Sequence, residues 1–326
     1  MPAFVVFLIA CLWGGAAMAT EYGIGISTLT VVDPVSGQPV PVTVWYPAAA
    51  VTAGDVHRGP YLLRGVENAA PADGSFGLIV LSHGSGGSPI GHHDTAAALT
   101  EAGWIVAAPL HVGDNYRDQS SLGTPALFEG RPRTLSAVID SLVAGRAGLP
   151  RVNAGRVGVL GFSMGGYTAL VTAGAVADME LIASHCAKHA AEDSTYCGYV
   201  PETMPHVVVA ANDQRVKAAA VWAPLAAPFS DAALASIDVP VAVWVGSADT
   251  VLPSALHGDR VARFVHGAEK IVVADARHFS FLAPLPAEAA ARNAELASDA
   301  PGFDRVAMHD RLNTEVTAFF ARALPE

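Results

Sequence analysis

The feature that most constrains this chain is an apolar strand that runs directly into a glycine-flanked serine and then into a helix. Residues 157–170 read VGVLGFSMGGYTAL and contain the one Gly-x-Ser-x-Gly pentapeptide of the sequence, at residues 161–165. A serine at the tip of such a sharp turn has its hydroxyl lifted clear of both elements, and the flanking glycines let the two segments pass closely. The pattern predicts a nucleophile elbow with Ser163 as nucleophile. An ordinary glycine-rich turn is the alternative, so the rest of the site must decide.

Length and charge limit the class of protein. A chain of 326 residues that is 52% hydrophobic can bury one large core, and one domain over residues 20–326 is expected. The formal net charge of -11, without a basic cluster, argues against nucleic acid and anionic membrane surfaces as partners. The sequence leaves the oligomeric state open.

The first nineteen residues have the pattern of a signal peptide. They carry no charged side chain, contain an apolar run and end in the small-x-small triplet Ala17-Met18-Ala19. Cleavage after Ala19 and a periplasmic or secreted protein are predicted, without stable membrane insertion afterwards. An uncleaved membrane anchor and a lipidated Cys11 are the alternatives.

Removal of residues 1–19 would leave two cysteines, Cys186 and Cys197. An even pair in an oxidising compartment predicts a disulfide bond between them. Zinc is the alternative, since His185 and His189 flank one cysteine, but no second close pair of ligands follows. No metal site is therefore predicted.

The order of apolar runs and helical patterns predicts an α/β fold. Runs that end in turn formers alternate with segments whose apolar residues recur at helical spacing, which is typical of a mainly parallel sheet with helices on both faces. An antiparallel hairpin is expected to open the sheet. The predicted strands are 24–32, 40–46, 78–81, 104–109, 157–161, 216–222, 239–245 and 270–274, and the clearest predicted helices are 94–102, 134–145 and a closing helix around residues 312–324.

Two of these strands are followed by the residues that a nucleophilic serine requires. Ligands and chemistry gather beyond the carboxyl ends of parallel strands. Asp249 follows the strand at 239–245 and His278 follows the next strand along the chain. His278 is predicted to be the general base for Ser163, and Asp249 to orient and stabilise its imidazole.

A glycine-rich loop follows the strand at 78–81. Residues 82–87 read Ser-His-Gly-Ser-Gly-Gly, and such a loop can direct backbone N–H groups at one point. The backbone N–H groups of Ser85 and Met164 are predicted to form an oxyanion hole, and a plain turn is the alternative.

Three further residues are candidates for the pocket. His83 lies in the glycine-rich loop, His111 ends another strand and Phe162 precedes the serine. Packing alone is an equal alternative for His111. His92 and His93 are expected at a helix start, and the remaining histidines at the surface.

The resulting chain order, serine then aspartate then histidine, is that of α/β-hydrolases. The chain resembles the secreted bacterial branch of predicted dienelactone hydrolases, a family similar to plasma-type platelet-activating-factor acetylhydrolase. Dienelactone hydrolases themselves use a cysteine nucleophile, whereas this chain has serine. The motifs that carry the resemblance are Ser82-His83-Gly84, Gly161-Phe-Ser-Met-Gly-Gly166, the Asp249 turn and Arg277-His-Phe-Ser280, with further likeness at 32–34, 44–47, 91–94, 108–111, 113–115 and 131–132.

The resemblance implies an α/β-hydrolase fold and a serine esterase that acts on a small-molecule or lipid ester without a cofactor. Residues 178–214, which hold the cysteine pair, are expected to form a short cap over the site, with a surface excursion as the alternative. An amidase or peptidase, a polyester depolymerase and a non-catalytic binding protein on the same scaffold are the other possible functions.

Overall fold

The computed structural model describes residues 22–50, 54–201 and 204–326. The predicted signal peptide at residues 1–19 and Cys11 therefore lie outside the described residues. The strands are β1 (Gly23–Val32), β2 (Pro39–Ala48), β3 (Asp55–Arg58), β4 (Tyr61–Arg64), β5 (Val66–Glu67), β6 (Ser75–Ser82), β7 (Trp104–Pro109), β8 (Arg151–Phe162), β9 (Ala177–Asp178), β10 (Val208–Val209), β11 (Val216–Trp222), β12 (Val241–Gly246) and β13 (Glu269–Val273).

One nine-stranded sheet organises the fold. Its strand order is β13-β12-β11-β8-β6-β7-β2-β1-β5, and the six strands from β13 to β7 are parallel to one another. The β1–β2 hairpin joins this block through an antiparallel β2–β7 pair. Every residue of β7 and of β12 is buried, as expected for parallel strands covered on both faces. The predicted mainly parallel sheet with an opening hairpin is confirmed.

Helices cover both faces of the sheet. The helices α1 and α10 pack on one face, whereas α2, α3, α6 and α7 bury their apolar residues on the other. Successive side chains of one strand point to opposite faces of the sheet. Val243 therefore packs on the face covered by α2, α3, α6 and α7, and Trp244 packs on the face covered by α1 and α10. The helices are α1 (His93–Glu101), α2 (Pro125–Val143), α3 (Met164–Thr172), α4 (Glu180–His189), α5 (Ser194–Cys197), α6 (Asp231–Ala235), α7 (Gly258–Phe264), α8 (Ala287–Arg292), α9 (Ala294–Ala297) and α10 (Arg305–Ala323).

Strand β8 is longer than its apolar core indicates. The sequence predicts it at 157–161, but it begins at Arg151. Residues 151 and 152 pair with Ser75 and Phe76 of β6, although most side chains at 151–156 are at least partly exposed. Backbone pairing at the edge of the core extends the strand without an apolar pattern.

Helix α2 begins nine residues before the predicted start at residue 134 and contains a proline, Pro132. A proline inside a helix leaves the carbonyl four residues earlier without its usual N–H donor. That carbonyl belongs to Phe128, and the buried Tyr167 hydroxyl of α3 donates to it over 3.1 Å. The helix continues through Pro132 because a neighbouring helix supplies the missing donor.

We expect this replacement to be measurable by a double-mutant cycle. Tyr167→Phe should lower the free energy of unfolding by about 1 to 3 kcal/mol, because it leaves the buried Phe128 carbonyl unpaired. In a Pro132→Ala background the loss should shrink, since the backbone N–H that this substitution introduces can bond to that carbonyl. Urea denaturation of the four proteins measures the coupling, and equal losses in both backgrounds would contradict it.

Residues 178–214 form an insert between α3 and β11. Strands β9 and β10 pair antiparallel and bring the two ends of the insert together. A disulfide joins Cys186 of α4 to Cys197 of α5, as predicted. No helix of the described ranges is both long and apolar enough to span a bilayer.

Candidate active site

Three side chains from separate parts of the chain form a continuous hydrogen-bonded series. The Nε2 atom of His278 lies 2.9 Å from Ser163 Oγ, and its Nδ1 atom lies 2.8 Å from Asp249 Oδ2. A carboxylate can only accept, so Nδ1 carries the proton and Nε2 is free to accept from the serine hydroxyl. The three residues that the sequence places after strand ends are therefore brought together in the geometry of a nucleophile, a base and an orienting acid.

The backbone at Ser163 has a positive φ of 56°, which is uncommon for a residue with a side chain. A Cβ atom at Gly161 would overlap the Gly165 carbonyl, and one at Gly165 would overlap the Ser82 carbonyl. The turn also bonds to the neighbouring strand, with Ser163 N–H donating to the Trp222 carbonyl over 2.9 Å. The glycines of the motif are thus required by close backbone contacts.

Local hydrogen bonds hold Asp249, and a short helix carries His278. Asp249 Oδ1 accepts the N–H groups of Val251 and Leu252, both at 2.9 Å, and its other oxygen remains for His278. His278 begins a 3-10 helix, His278–Phe281, that follows β13. Asp249 is 8% exposed and His278 is 2% exposed, so the hydrogen bond between them is shielded from water.

The two predicted oxyanion donors lie beside the serine. As the first residue of α3, Met164 has no intrahelical acceptor for its N–H. The backbone N–H of Ser85 has no hydrogen-bond partner among the described residues. Ser85, Met164 and Ser163 line the same cavity, so two unpaired backbone donors are available near the Ser163 hydroxyl.

A buried ion pair supports the glycine-rich loop from behind. Arg131 of α2 pairs with Asp114, and both side chains are almost completely buried. Asp114 Oδ1 accepts the Ser85 hydroxyl at 2.6 Å and the Gly86 N–H at 2.9 Å, while Arg131 also donates to the His83 carbonyl. The loop is thus held on its inner side by one carboxylate and one guanidinium.

The charge on Asp114 is maintained in spite of its burial. Burial alone would raise the pKa of its carboxyl, but the Arg131 guanidinium and the hydrogen bonds from Ser85 and Gly86 hold the pKa below its usual value. No sequence pattern predicts a role for Arg131 or Asp114 at the site. Helical spacing could have indicated that Arg131 is buried, because it lies on the apolar face of α2, four residues before the buried Leu135.

His83 and His111 lie behind the loop rather than in the pocket. His83 Nδ1 donates to the Gly84 carbonyl over 2.7 Å, its Nε2 accepts the His111 backbone N–H, and His111 Nε2 lies 2.9 Å from Ser82 Oγ. Burial lowers the pKa of both rings, which keeps them neutral. Their expected place on the cavity wall is wrong, because these hydrogen bonds hold both rings inside the core.

The cavity in front of Ser163 has a volume of about 410 Å³ and a mainly apolar wall. Phe162 contributes to this wall, as predicted. The wall also includes residues just before and at the start of α2, and residues that follow Asp249. The insert supplies one side of the wall through Ile182, Tyr196, Tyr199, Val200, Pro201 and Met204.

Two histidines expected at the surface are buried. His257 is fully buried and His309 is 2% exposed. His309 Nδ1 lies 2.6 Å from Asp94 Oδ2, and its Nε2 lies 3.0 Å from the Ser280 carbonyl oxygen. His309 thereby anchors the 3-10 helix of His278 to α1 and α10, a role for which the sequence offers no distinguishing pattern.

One group of side chains has the composition of a metal site. Ligand atoms of His185, Asp193 and His257 lie within 4.8 Å of one another. However, His257 Nδ1 accepts the Ala226 N–H over 3.1 Å, so its proton sits on Nε2, which points at Asp193 Oδ2 from 2.8 Å. A protonated nitrogen cannot ligate a metal, and the group is a hydrogen-bonded cluster.

The mostly parallel sheet, the helices on both faces and the site beyond the strand ends define the α/β-hydrolase fold. Among solved structures, a ferulic acid esterase from Streptomyces cinnamoneus is similar, with a TM-score of 0.65 and 21% identity over 95% of this chain and 92% of that chain. The sequence matches no protein-family model, and comparison with curated proteins gives no match. The fold is therefore established by the structural likeness.

We expect the ion pair behind the loop to contribute more to stability than an exposed pair does. Asp114→Asn removes the negative charge and leaves Arg131 buried without a counterion, which should lower the free energy of unfolding by about 3 to 5 kcal/mol. Glu288→Gln is the control, since its pair with Arg292 is exposed and should contribute little. Equal decreases in the free energy of unfolding of the two variants, measured by urea denaturation, would contradict the larger contribution of the buried pair.

Proposed function

We propose that this protein is a serine hydrolase that cleaves carboxylic esters through an acyl-enzyme intermediate. The observation that carries the proposal is the series from Ser163 through His278 to Asp249, at 2.9 and 2.8 Å, which opens on a cavity. The similar ferulic acid esterase supports ester chemistry on this fold.

The first half-reaction transfers the acyl group to the protein. His278 Nε2 takes the proton of the Ser163 hydroxyl as Oγ bonds to the ester carbonyl carbon, and the carbonyl π electrons move onto oxygen. The oxyanion accepts hydrogen bonds from the N–H groups of Ser85 and Met164. When the carbonyl re-forms, the C–O bond to the alcohol breaks, and the alcohol leaves with the proton from His278. Asp249 stays ionised and stabilises the imidazolium.

The second half-reaction hydrolyses the acyl-enzyme and regenerates the free Ser163 hydroxyl. Water loses a proton to His278 Nε2 and attacks the acyl carbon, and the same oxyanion donors stabilise the second tetrahedral intermediate. The bond from carbon to Ser163 Oγ then breaks, and the oxygen regains its proton from His278 as the carboxylic acid leaves. None of these steps requires a metal or an organic cofactor.

The wall of the cavity favours neutral apolar acyl groups. Its described lining residues include no lysine or arginine that could pair with an anionic acyl group, and most are aliphatic or aromatic. A short-chain or lipid-type ester, as in platelet-activating-factor-like substrates, fits such a wall. The insert on one side of the cavity favours a small substrate over a polymer chain, which would need an open groove.

An amidase or a peptidase could use the same residues. The two activities are separated by comparing an ester with an amide of one acyl group, such as p-nitrophenyl acetate and p-nitroacetanilide. A non-catalytic binding protein would leave Ser163 unlabelled by a fluorophosphonate probe, whereas a nucleophilic serine beside a base should react.

Export to the periplasm or the medium is part of the proposal. The Cys186–Cys197 disulfide supports it, because such bonds persist in oxidising compartments. Fractionation of cells that express the whole chain, with N-terminal sequencing of the product, tests it. A new N-terminus at residue 20 is the expected result, and an intact N-terminus in the cytosol would contradict it.

Replacing the serine should abolish turnover. Loss of the nucleophile in other serine hydrolases costs on the order of a millionfold in kcat, and Ser163→Ala should show a loss of that size with p-nitrophenyl esters. Ser236→Ala, at the exposed C-terminal end of α6, is the control and should retain full activity. Near-normal hydrolysis by Ser163→Ala would refute the proposed mechanism.

A further inference from the structure

We propose that Asp193 is the positioning residue that fixes the insert, residues 178–214, against the rest of the protein and thereby determines which acyl groups are bound well. This inference rests on the proposed esterase function. It concerns side chains that are not part of the Ser163–His278–Asp249 hydrogen-bonded series.

The disulfide cannot perform this task by itself. It joins Cys186 to Cys197, and both lie within the insert. Likewise, the β9–β10 pair closes the insert at its base by joining Asp178 to Val208 and Ala177 to Val209. These two links give the insert internal order but do not fix the distance between its middle and the serine.

Asp193 makes that connection. Its carboxylate lies between the disulfide-bonded helices and is fully buried, and its Oδ2 atom accepts from His185 Nε2 at 2.7 Å and from His257 Nε2 at 2.8 Å. His185 belongs to the insert, whereas His257 precedes α7 in the main domain. One carboxylate oxygen thus joins the insert to the segment that follows the Asp249 loop.

The donor at His257 is fixed by its other nitrogen. The Ala226 N–H donates to His257 Nδ1 over 3.1 Å, so the ring proton lies on Nε2 and is directed at Asp193. Burial would raise the pKa of Asp193, but the hydrogen bonds from His185 and His257 hold it at about 2. The junction at neutral pH is therefore an ionised carboxylate held by two oriented N–H donors.

The wall of the cavity is attached to this junction. Tyr196 lies three residues after Asp193, lines the cavity, and packs its ring edge-on against His257 at a centroid distance of 5.8 Å. Val200, one turn further, lines the same cavity. If the bond from Asp193 to His257 is lost, the apolar wall on this side loses its fixed distance from Ser163.

The consequence depends on acyl size. An acetyl group reacts next to Ser163 and makes little use of the far wall, whereas an octanoyl group must contact it. Exposing about two methylene groups of a bound chain to water weakens binding by about tenfold. A loosened wall should therefore raise KM for the long ester by about tenfold or more and leave its kcat nearly unchanged.

The test compares p-nitrophenyl octanoate with p-nitrophenyl acetate on the full-length protein. Asp193→Asn should lower the octanoate-to-acetate ratio of kcat/KM by about tenfold, through KM for octanoate. Glu180→Gln is the matched control within the insert, since its pair with His206 is exposed, and its ratio should equal that of the wild type.

A second pair of variants keeps the test decisive if Asp193→Asn does not fold. His257→Phe keeps a ring but removes the donor, and should lower the ratio as Asp193→Asn does. His257→Gln keeps an N–H donor near the position of Nε2. Its octanoate-to-acetate ratio of kcat/KM should therefore be close to that of the wild type. A role in stability alone would lower both kcat/KM values together and would show no rescue of the ratio.

The two proposals fail in different ways. An unchanged ratio in folded, active Asp193→Asn or His257→Phe protein overturns the role of Asp193 and leaves the esterase intact. Wild-type protein that hydrolyses neither ester, and whose Ser163 takes up no fluorophosphonate, overturns the proposed function itself.

Discussion

The close backbone contact at the serine turn is the constraint on which the site depends. Ser163 keeps a positive φ because α3 starts in contact with the end of β6, where Gly165 lies against the Ser82 carbonyl. Strain of this kind persists only where the surroundings over-determine it. Here the central strand β8 and the Leu225 N–H, which donates to the Ser163 carbonyl over 3.0 Å, hold the turn in place.

Two buried polar groups extend this rigidity to the loops on either side. Arg131 and Asp114 hold the glycine-rich loop from below, while His309 holds the short helix that begins with His278. A buried polar group is costly unless it is hydrogen-bonded, so each group favours one arrangement of the loop it contacts. The glycine-rich loop and the short helix of His278 are thus positioned by packing and by buried hydrogen bonds rather than by flexible surface contacts.

The sequence predicted the parts that follow from periodicity and failed where tertiary contacts decide. That Ser163, Asp249 and His278 lie together could be predicted because each follows an apolar strand, and parallel strands end at one edge of a sheet. Arg131 and Asp193 gave no such signal, because a charged residue is ordinarily exposed and only its partners reveal its burial. The early start of α2 was missed for the same reason, since its internal proline depends on a tyrosine from another helix.

Under the proposed function, different parts of the structure carry out the reaction and select the substrate. Ser163, His278 and Asp249 follow strand ends and contact one another directly, and none of them lies in residues 178–214. The far wall of the cavity comes from that insert, and the Asp193 carboxylate of the insert is hydrogen-bonded to His257, which precedes α7. A polar junction has a defined geometry, unlike an apolar contact that can slide, because hydrogen bonds weaken steeply when their angle changes. The insert can therefore differ in sequence and still be held at one distance from the serine, provided that the junction is kept.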